Sequence, residues 1–309
     1  MRVLVTGAFG FVGHAVVRAL LEEGHEVVAA SSRADRRWPA PGKVEVVQAN
    51  VLEPSSLTGA VAEVDGICHL AALTRVRESF DMPERYAAVN VTGTRNLLAA
   101  LAERPRPVPF VHASSAVVYG APTLQPIAEN CAAAPSSPYA ETKLAADQAI
   151  CDAAETGRVA GISLRIFNAS GAVDGHGDPD LTRIIPKSVA VAAGLAPEVG
   201  VNGDGSAIRD FVHVADVASA FAAALTGARP GVFTAYNVGA TPASVAEIIA
   251  MTQSLTGRDL PVQNNPPAKE APDLRADTSR IRAELGWKPL HSSLEQIIND
   301  AWIAVARIQ

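Results

Sequence analysis

Apolar and polar positions divide the chain into short buried runs that alternate with amphipathic stretches. Residues 2–6, 26–30, 44–47, 66–70, 110–113 and 161–167 are short apolar runs bounded by turn residues, which predicts strands buried on both faces. Between them, Phe11 to Glu23, Pro54 to Glu63, Glu84 to Leu101 and the stretch after Pro138 carry apolar residues at helical spacing. Strands alternating with helices predict βαβ units, hence an α/β fold with a doubly wound parallel sheet. Beyond Asn168 the rhythm breaks, and residues 169–210 are rich in Gly, Asp and Pro around one expected helix, Leu181 to Ala193. A strand and a helix return at 211–225, and Tyr236-Asn237-Val238-Gly239 reads as a last strand. Helices near Ser244, Ser279 and Ser293 follow.

Between the first strand and the first helix lies Gly7-Ala8-Phe9-Gly10-Phe11-Val12-Gly13. Glycines there allow a tight turn, let backbone amides approach a pyrophosphate and set the helix N-terminus against its charge, so the turn reads as a dinucleotide loop of Rossmann type. The expected division is a dinucleotide-binding domain of residues 1–166 and 211–238, with 167–210 and 239–309 as a smaller cap that binds substrate. The second strand ends in Ser31-Ser32-Arg33, where an NAD site has an acid on the ribose hydroxyls. Ser31 and Arg33 suit a 2′-phosphate, which leaves NAD and NADP both open. Asn50 and Val51 follow the third strand, and Leu70, Ala71 and Ala72 follow the fourth, where small residues let the backbone lie against a cofactor. Asn90 and Asn96 interrupt a helix they weaken and so call for a reason.

The chain has 309 residues, a formal charge of -6 and 48% hydrophobic residues, enough for a sizeable core and contrary to disorder. Without an overall basic balance, nucleic acid is not expected as the main partner. Cys68, Cys131 and Cys151 form no disulfide framework and no metal-ligand spacing, which predicts reduced thiols and no metal site. No stretch has the roughly 18 apolar residues of a membrane span, so a cytoplasmic protein is expected.

Ser137-Pro138-Tyr139-Ala140-Glu141-Thr142-Lys143 carries the chemistry. Ser137 can cap a helix with Pro138 at its first position, which sets Tyr139 and Lys143 four apart on one face. A cation one turn away favours a phenolate, which can take a proton from a sugar hydroxyl. Alone, the pair fits an exposed amphipathic helix better than a catalytic site, since short motifs recur by chance.

Together with Thr6-Gly7-Ala8-Phe9-Gly10-Phe11-Val12-Gly13, this motif, Asn90-Val91-Thr92-Gly93-Thr94, Ser114-Ser115-Ala116-Val117-Val118-Tyr119-Gly120, Arg165-Ile166-Phe167-Asn168, Arg209-Asp210-Phe211-Val212-His213-Val214 and Glu284-Leu285-Gly286-Trp287 resemble the extended short-chain dehydrogenase/reductase superfamily. Within it, the chain is similar to nucleotide-sugar epimerases of the UDP-galactose 4-epimerase type over essentially its whole length. The resemblance implies that Tyr139 is the acid/base, that Lys143 holds the nicotinamide ribose and lowers the tyrosine pKa, and that Ser115 hydrogen-bonds the reacting oxygen. It implies hydride removal from sugar carbon-4 by NAD, turning of the keto sugar, and hydride return to the other face. Cofactor contacts fall by resemblance on Gly7, Phe9, Gly10, Phe11, Val12, Gly13, Ser31, Arg33, Asn50, Val51, Leu70, Ala71, Ala72, Asn90, Tyr139, Lys143 and Phe167. Substrate contacts fall on Thr74, Ser115, Ala116, Tyr139, Asn168, Arg209, Lys269 and Glu270.

Departures narrow the choice. Ala116-Val117 replaces the Asp-Glu pair of the superfamily's dehydratases and, at Val117, the glutamate of its decarboxylases. Pro267, Lys269 and Glu270 stand where the family has Arg-x-Gly-Asp, and Asn50 where it has an aspartate. The expected function is NAD-dependent 4-epimerisation of a nucleotide sugar, UDP-hexose above all, by a homodimer paired through the helices near Glu84 and Pro138. An NADPH-dependent carbonyl reductase of the same fold and a non-catalytic dinucleotide sensor are the alternatives, and the second predicts loss of the tyrosine or lysine.

Overall fold

The computed structural model describes residues 1–39, 44–102, 104, 106–267 and 271–306. The chain opens with β1 (Arg2–Thr6), α1 (Phe11–Glu22), β2 (Glu26–Ser31), β3 (Val44–Gln48), α2 (Pro54–Val61) and β4 (Gly66–His69). Helices α3 (Val76–Asp81), α4 (Pro83–Tyr86) and α5 (Gly93–Ala100) lead to β5 (Val108–Ser115), α6 (Pro138–Glu155) and β6 (Val159–Ile166). Then come β7 (Asn168–Ser170), β8 (Ala172–Val173), β9 (His176–Gly177), α7 (Ile184–Ala192), β10 (Val199–Asn202), β11 (Ile208–His213), α8 (Val214–Gly227) and β12 (Phe233–Val238). The chain ends with β13 (Thr241–Ser244), α9 (Val245–Thr256), β14 (Val262–Asn265), β15 (Asp273–Leu274), α10 (Ser279–Leu285) and α11 (Leu294–Ala306).

Seven strands form one sheet in the order β12-β6-β5-β4-β1-β2-β3, every neighbouring pair parallel. Apolar runs without alternation produce this, because helices cover both faces. On one face α1 and α8 pack together over Val3, Val5, Val111 and Leu164; on the other, Leu57, Leu97 and Ile150 from α2, α5 and α6 cover Leu4, Ile67 and Phe110. The order reverses between β1 and β4, which opens a crevice at their carboxyl ends.

Local chemistry fixes the helix starts. Pro54 and Pro138 occupy first-turn positions where a missing N–H costs nothing, and the Ala140 N–H donates to the Ser137 hydroxyl at 3.2 Å. Ser244 and Glu247 close a reciprocal capping box on α9.

The structure differs from the sequence expectation in three places. The helix expected from Glu84 to Leu101 contains a wider π-helical stretch, Ala87–Thr92, centred on buried Asn90. Asn90 Nδ2 donates to the Leu73 carbonyl and to Thr142 Oγ1, both at 3.0 Å, and the Leu73 N–H donates to Asn90 Oδ1 at 2.8 Å, so the residue ties the loop after β4 to α6. Asn96 donates to the Val51 carbonyl at 2.8 Å, a structural reason for the second asparagine. Helix α7 begins at Ile184 rather than Leu181, because Asp180 Oδ1 accepts from both the N–H and the hydroxyl of Thr182 and holds a turn there. Finally, Phe211 to His213 pair with β7, not with the seven-stranded sheet; β11 joins β7, β13 and β15 in a separate four-stranded sheet.

Candidate active site

The turn after β1 meets the end of β4 so closely that a Cβ on Gly7 would lie 2.8 Å from Leu70 C and Ala71 N, and Gly7 adopts φ +71°. A Cβ on Gly13 would lie 2.0 Å from the Gly7 carbonyl oxygen, so α1 can approach the turn only without one. Gly10 is different: its Cβ would meet only that same oxygen, at 3.3 Å, and no side chain caps the first N–H groups of α1. Those free donors at a helix N-terminus suit the diphosphate of a dinucleotide. Thr6 closes the crevice floor, its hydroxyl taking the Leu70 and Ala71 N–H groups at 3.2 Å and facing His69 Nδ1 at 2.7 Å. Burial pulls the His69 imidazole down to about 3, with the Lys143 charge acting the same way. His69 is a buried neutral ring that the sequence reading passed over.

A groove of about 340 Å³ runs from this turn past the ends of β2 and β3. Of the expected cofactor residues it is lined by Gly7, Phe9, Gly10, Ser31, Arg33, Asn50, Val51 and Ala71. Phe11, Val12, Gly13, Leu70, Ala72, Asn90 and Phe167 do not line it: Gly13 and Asn90 act in the packing around it, and Phe11, Val12 and Leu70 pack against the core beneath the sheet end. Phe167 packs beside Val118 and Tyr119, in the 3₁₀ turn that follows β5. Ser32 and Arg36 line the groove and were missed, although the basic run Arg36-Arg37 was visible. Arg33 is held by Asp35 through Nε at 3.1 Å and Nη2 at 2.9 Å, and the Ser31 hydroxyl closes a turn on the Arg33 backbone. Asn50 donates to Glu53 at 2.9 Å and accepts from the Leu52 N–H, so its amide shapes the turn before α2.

At the other end of the crevice, α6 lies on β5 and β6 and brings Tyr139, Lys143 and Ser115 together. The Lys143 ammonium donates to the Ala113 carbonyl at 2.8 Å, two residues before Ser115 on β5, and lies 5.9 Å from the Tyr139 ring centroid. Lys143 is 2% exposed, and burial pulls its pKa from 10.5 down to about 8 against the attraction of Asp147. Asp147 sits one turn further along α6, 3.3 Å from Arg165 Nε. Burial also pushes the Tyr139 phenol up; the Ser115 hydroxyl, by hydrogen bonding, and the Arg183 guanidinium, by its charge, act in the other direction. In the chain itself Ser115 and Arg183 are the groups that draw the phenol down, while the Lys143 ammonium is turned to the Ala113 carbonyl. Arg183 stands at the N-cap of α7 and is held by Asp178 at 3.0 Å and Asp180 at 3.7 Å. Its place beside Tyr139 depends on how the segment after β9 folds back, which no local sequence pattern reveals.

Asn168 and Arg209 lie on neighbouring strands, β7 and β11, where Asn168 faces Phe211 and its amide donates to the Asp210 carbonyl at 2.8 Å. Arg209 pairs in register with Leu274 of β15, and its Nη1 donates to the Ile208 carbonyl at 2.8 Å. Thr74 is exposed in the loop after β4, and Ala116 follows Ser115 in a short 3₁₀ turn. Lys269 and Glu270 lie outside the described residues.

Residues 3–239 match the NAD dependent epimerase/dehydratase family. A UDP-glucose 4-epimerase of Corynebacterium glutamicum is 32% identical over 314 residues, which cover 98% of this chain and 95% of that protein. A UDP-glucose 4-epimerase structure from Stenotrophomonas maltophila, with bound NAD and formylated UDP-arabinopyranose, superposes over 100% of both chains with TM-score 0.91 and 32% identity. The UDP-glucose 4-epimerase of Brucella ovis in complex with NAD gives TM-score 0.90 at 32% identity, covering 98% of this chain and 97% of that one. The glycine turn at the switch point of a parallel sheet, the tyrosine and lysine on α6, and these full-length likenesses agree: the chain belongs to the NAD-dependent epimerase/dehydratase family.

Proposed function

We propose that the chain catalyses NAD-dependent 4-epimerisation of a UDP-hexose. The observation that carries this reading is buried Tyr139 and Lys143 at the start of α6 with half-buried Ser115 at the carboxyl end of β5, beside a groove that begins at the glycine turn. Gly7, Gly10 and the first N–H groups of α1 suit the diphosphate of NAD, and Ser31, Asn50, Val51 and Ala71 its adenosine end. When bound, NAD supplies the two-electron acceptor and donor at sugar carbon-4, and its redox state is restored in each turnover. Tyr139 takes the proton of the carbon-4 hydroxyl and returns it, Ser115 holds the oxygen, and the charges of Arg183 and Lys143 favour the phenolate while that proton is away. Asn168 and Arg209 are assigned to the UDP side, where a guanidinium meets phosphate oxygens.

Ala116 and Val117 support epimerisation over elimination, since no acid stands next to Ser115 to expel water. Three unpaired cysteines accord with a reducing cytoplasm, and among the described residues no helix is long and apolar enough to cross a membrane. A homodimer through α5 and α6 is part of the same proposal. Leu98 of α5 is buried in the core beside Leu57 of α2 and Ala149 of α6 packs against that core, which leaves Ala99 and Ala145 for helix contact. Incubating the protein with UDP-glucose, UDP-N-acetylglucosamine, UDP-glucuronic acid and dTDP-glucose, and following the sugars by NMR, tests the function. At least one UDP-sugar should approach an equilibrium mixture of its carbon-4 epimers without net consumption of cofactor. Stoichiometric NADPH oxidation with a reduced product would overturn the reading in favour of a reductase.

A further inference from the structure

The adenosine end of the groove departs from an NAD-type ribose site. Such a site places a carboxylate after β2, where it accepts from both ribose hydroxyls and repels a 2′-phosphate. Here Ser31 stands there, and its one hydroxyl already accepts from the Arg33 N–H at 3.0 Å and donates to the Arg33 carbonyl at 3.1 Å. Among the described residues no Asp or Glu lines the groove, whereas Arg33 and Arg36 do. We propose that this end accepts a 2′-phosphorylated dinucleotide, NADP(H), beside NAD, with Arg36 as the principal cation for the phosphate. The inference rests on reading the groove as a dinucleotide site.

Arg36 is suited to that role by its surroundings. Its guanidinium lies over the Phe9 ring at 5.5 Å from the centroid and has no carboxylate partner within ion-pair distance among the described residues. Phe9 belongs to the glycine turn, so the cation is tied to the loop that faces the dinucleotide. The segment that carries it is itself anchored: Trp38 packs on Phe9 at 5.7 Å and stacks on His14 at 5.1 Å between ring centroids. A cation placed before the ligand arrives loses less freedom on binding. Two acids stand near, and both are engaged. Asp35 is neutralised by the Arg33 fork, with Arg36 acting on it as well, and Glu53 takes the Asn50 amide at 2.9 Å. With Asp35 held on the Arg33 fork, the Arg36 guanidinium is left for a group that carries about −1.5 to −2 at neutral pH. An epimerase that restores its cofactor in each turnover has no need to draw on one redox pool, so the chemistry does not oppose a phosphorylated cofactor.

The test is calorimetric titration of the full chain, stripped of carried-over nucleotide, with NAD and with NADP. Wild type should bind NADP with a Kd within about tenfold of that for NAD. Arg36→Ala should raise the ratio of the NADP Kd to the NAD Kd by roughly 10–100-fold, the loss of one charge-assisted contact to phosphate. Ser31→Asp should raise the same ratio by restoring the acid of an NAD site. Both residues are exposed or partly so, and circular dichroism verifies that the variants fold. NAD binding without NADP binding, or an unchanged ratio in Arg36→Ala, overturns the proposal and leaves Arg36 as a support of the loop. Failure of both nucleotides to bind overturns the dinucleotide reading itself.

Discussion

Replacing Lys143 by methionine should remove activity and at the same time remove a pH-dependent cost of folding. The ammonium is 2% exposed, and its pKa falls from 10.5 to about 8 because burial disfavours the charge more than Asp147 favours it. Below pH 8 both folded and unfolded chains hold the proton, so the folded state bears the full cost. Between about 8 and 10.5 the folded chain has lost a proton that the unfolded chain still binds, and stability must rise with pH. At about 1.4 kcal/mol per pH unit, wild type should gain about 2 kcal/mol relative to Lys143→Met between pH 7 and pH 9.5. Methionine fills a similar volume without charge, and its main penalty is the Ala113 carbonyl left without its donor, worth about 1 kcal/mol or somewhat more. At pH 7 the variant should therefore be about as stable as wild type or more so. Urea unfolding of nucleotide-free protein at several pH values, followed by circular dichroism, measures both quantities. A stability difference that does not change with pH would show that Lys143 titrates as an exposed lysine does, and the description of its site as desolvating would fall.

Tyr139→Phe should lower turnover by about 10²–10⁴-fold while NAD and UDP-sugar affinities change only a few-fold, since a proton carrier is lost and diphosphate contacts are kept; kcat by NMR and Kd by calorimetry separate the two. An active Tyr139→Phe variant would mean that another group carries the proton. Gly13→Ala should destabilise by about 1–3 kcal/mol or more, because its Cβ would sit 2.0 Å from the Gly7 oxygen, whereas Gly10→Ala, at 3.3 Å, should keep the fold and lose NAD affinity. Thermal melts with and without NAD decide this, and equal melting losses in both variants would refute the division of roles. Asp216→Ala should cost at least about 3 kcal/mol, since Asp216 accepts from the N–H groups of Leu290 and His291 and from the Ser292 hydroxyl beneath α8. Its check is the urea midpoint, with a wild-type value counting against the argument.

How much of this was legible in the sequence depended on range. The strands of the main sheet were readable because burial on both faces writes itself as an unbroken apolar run, and the start of α6 because Ser137 and Pro138 act on their immediate neighbours. Asn90 showed a cost without its reason, which lies in Leu73 and Thr142, 17 and 52 residues away. The β7-β11-β13-β15 sheet left no periodic trace, since β7 has three residues and β15 has two, and its register is fixed by pairing across the chain. Tyr139 and Lys143 show the limit most clearly. Spacing alone implies a cation that depresses a phenol, but spacing carries no information on desolvation. In the folded chain burial acts on both groups and moves them in opposite directions, the phenol up and the amine down to about 8. Each shift favours the uncharged form, so the pair by itself rests as neutral phenol beside an amine that loses its proton just above neutral pH. Arg183 and Ser115 work against this from outside α6 without reversing it. Under the proposed mechanism, additional positive charge beside Tyr139, such as a bound oxidised nicotinamide ring brings, would complete the bias toward the phenolate.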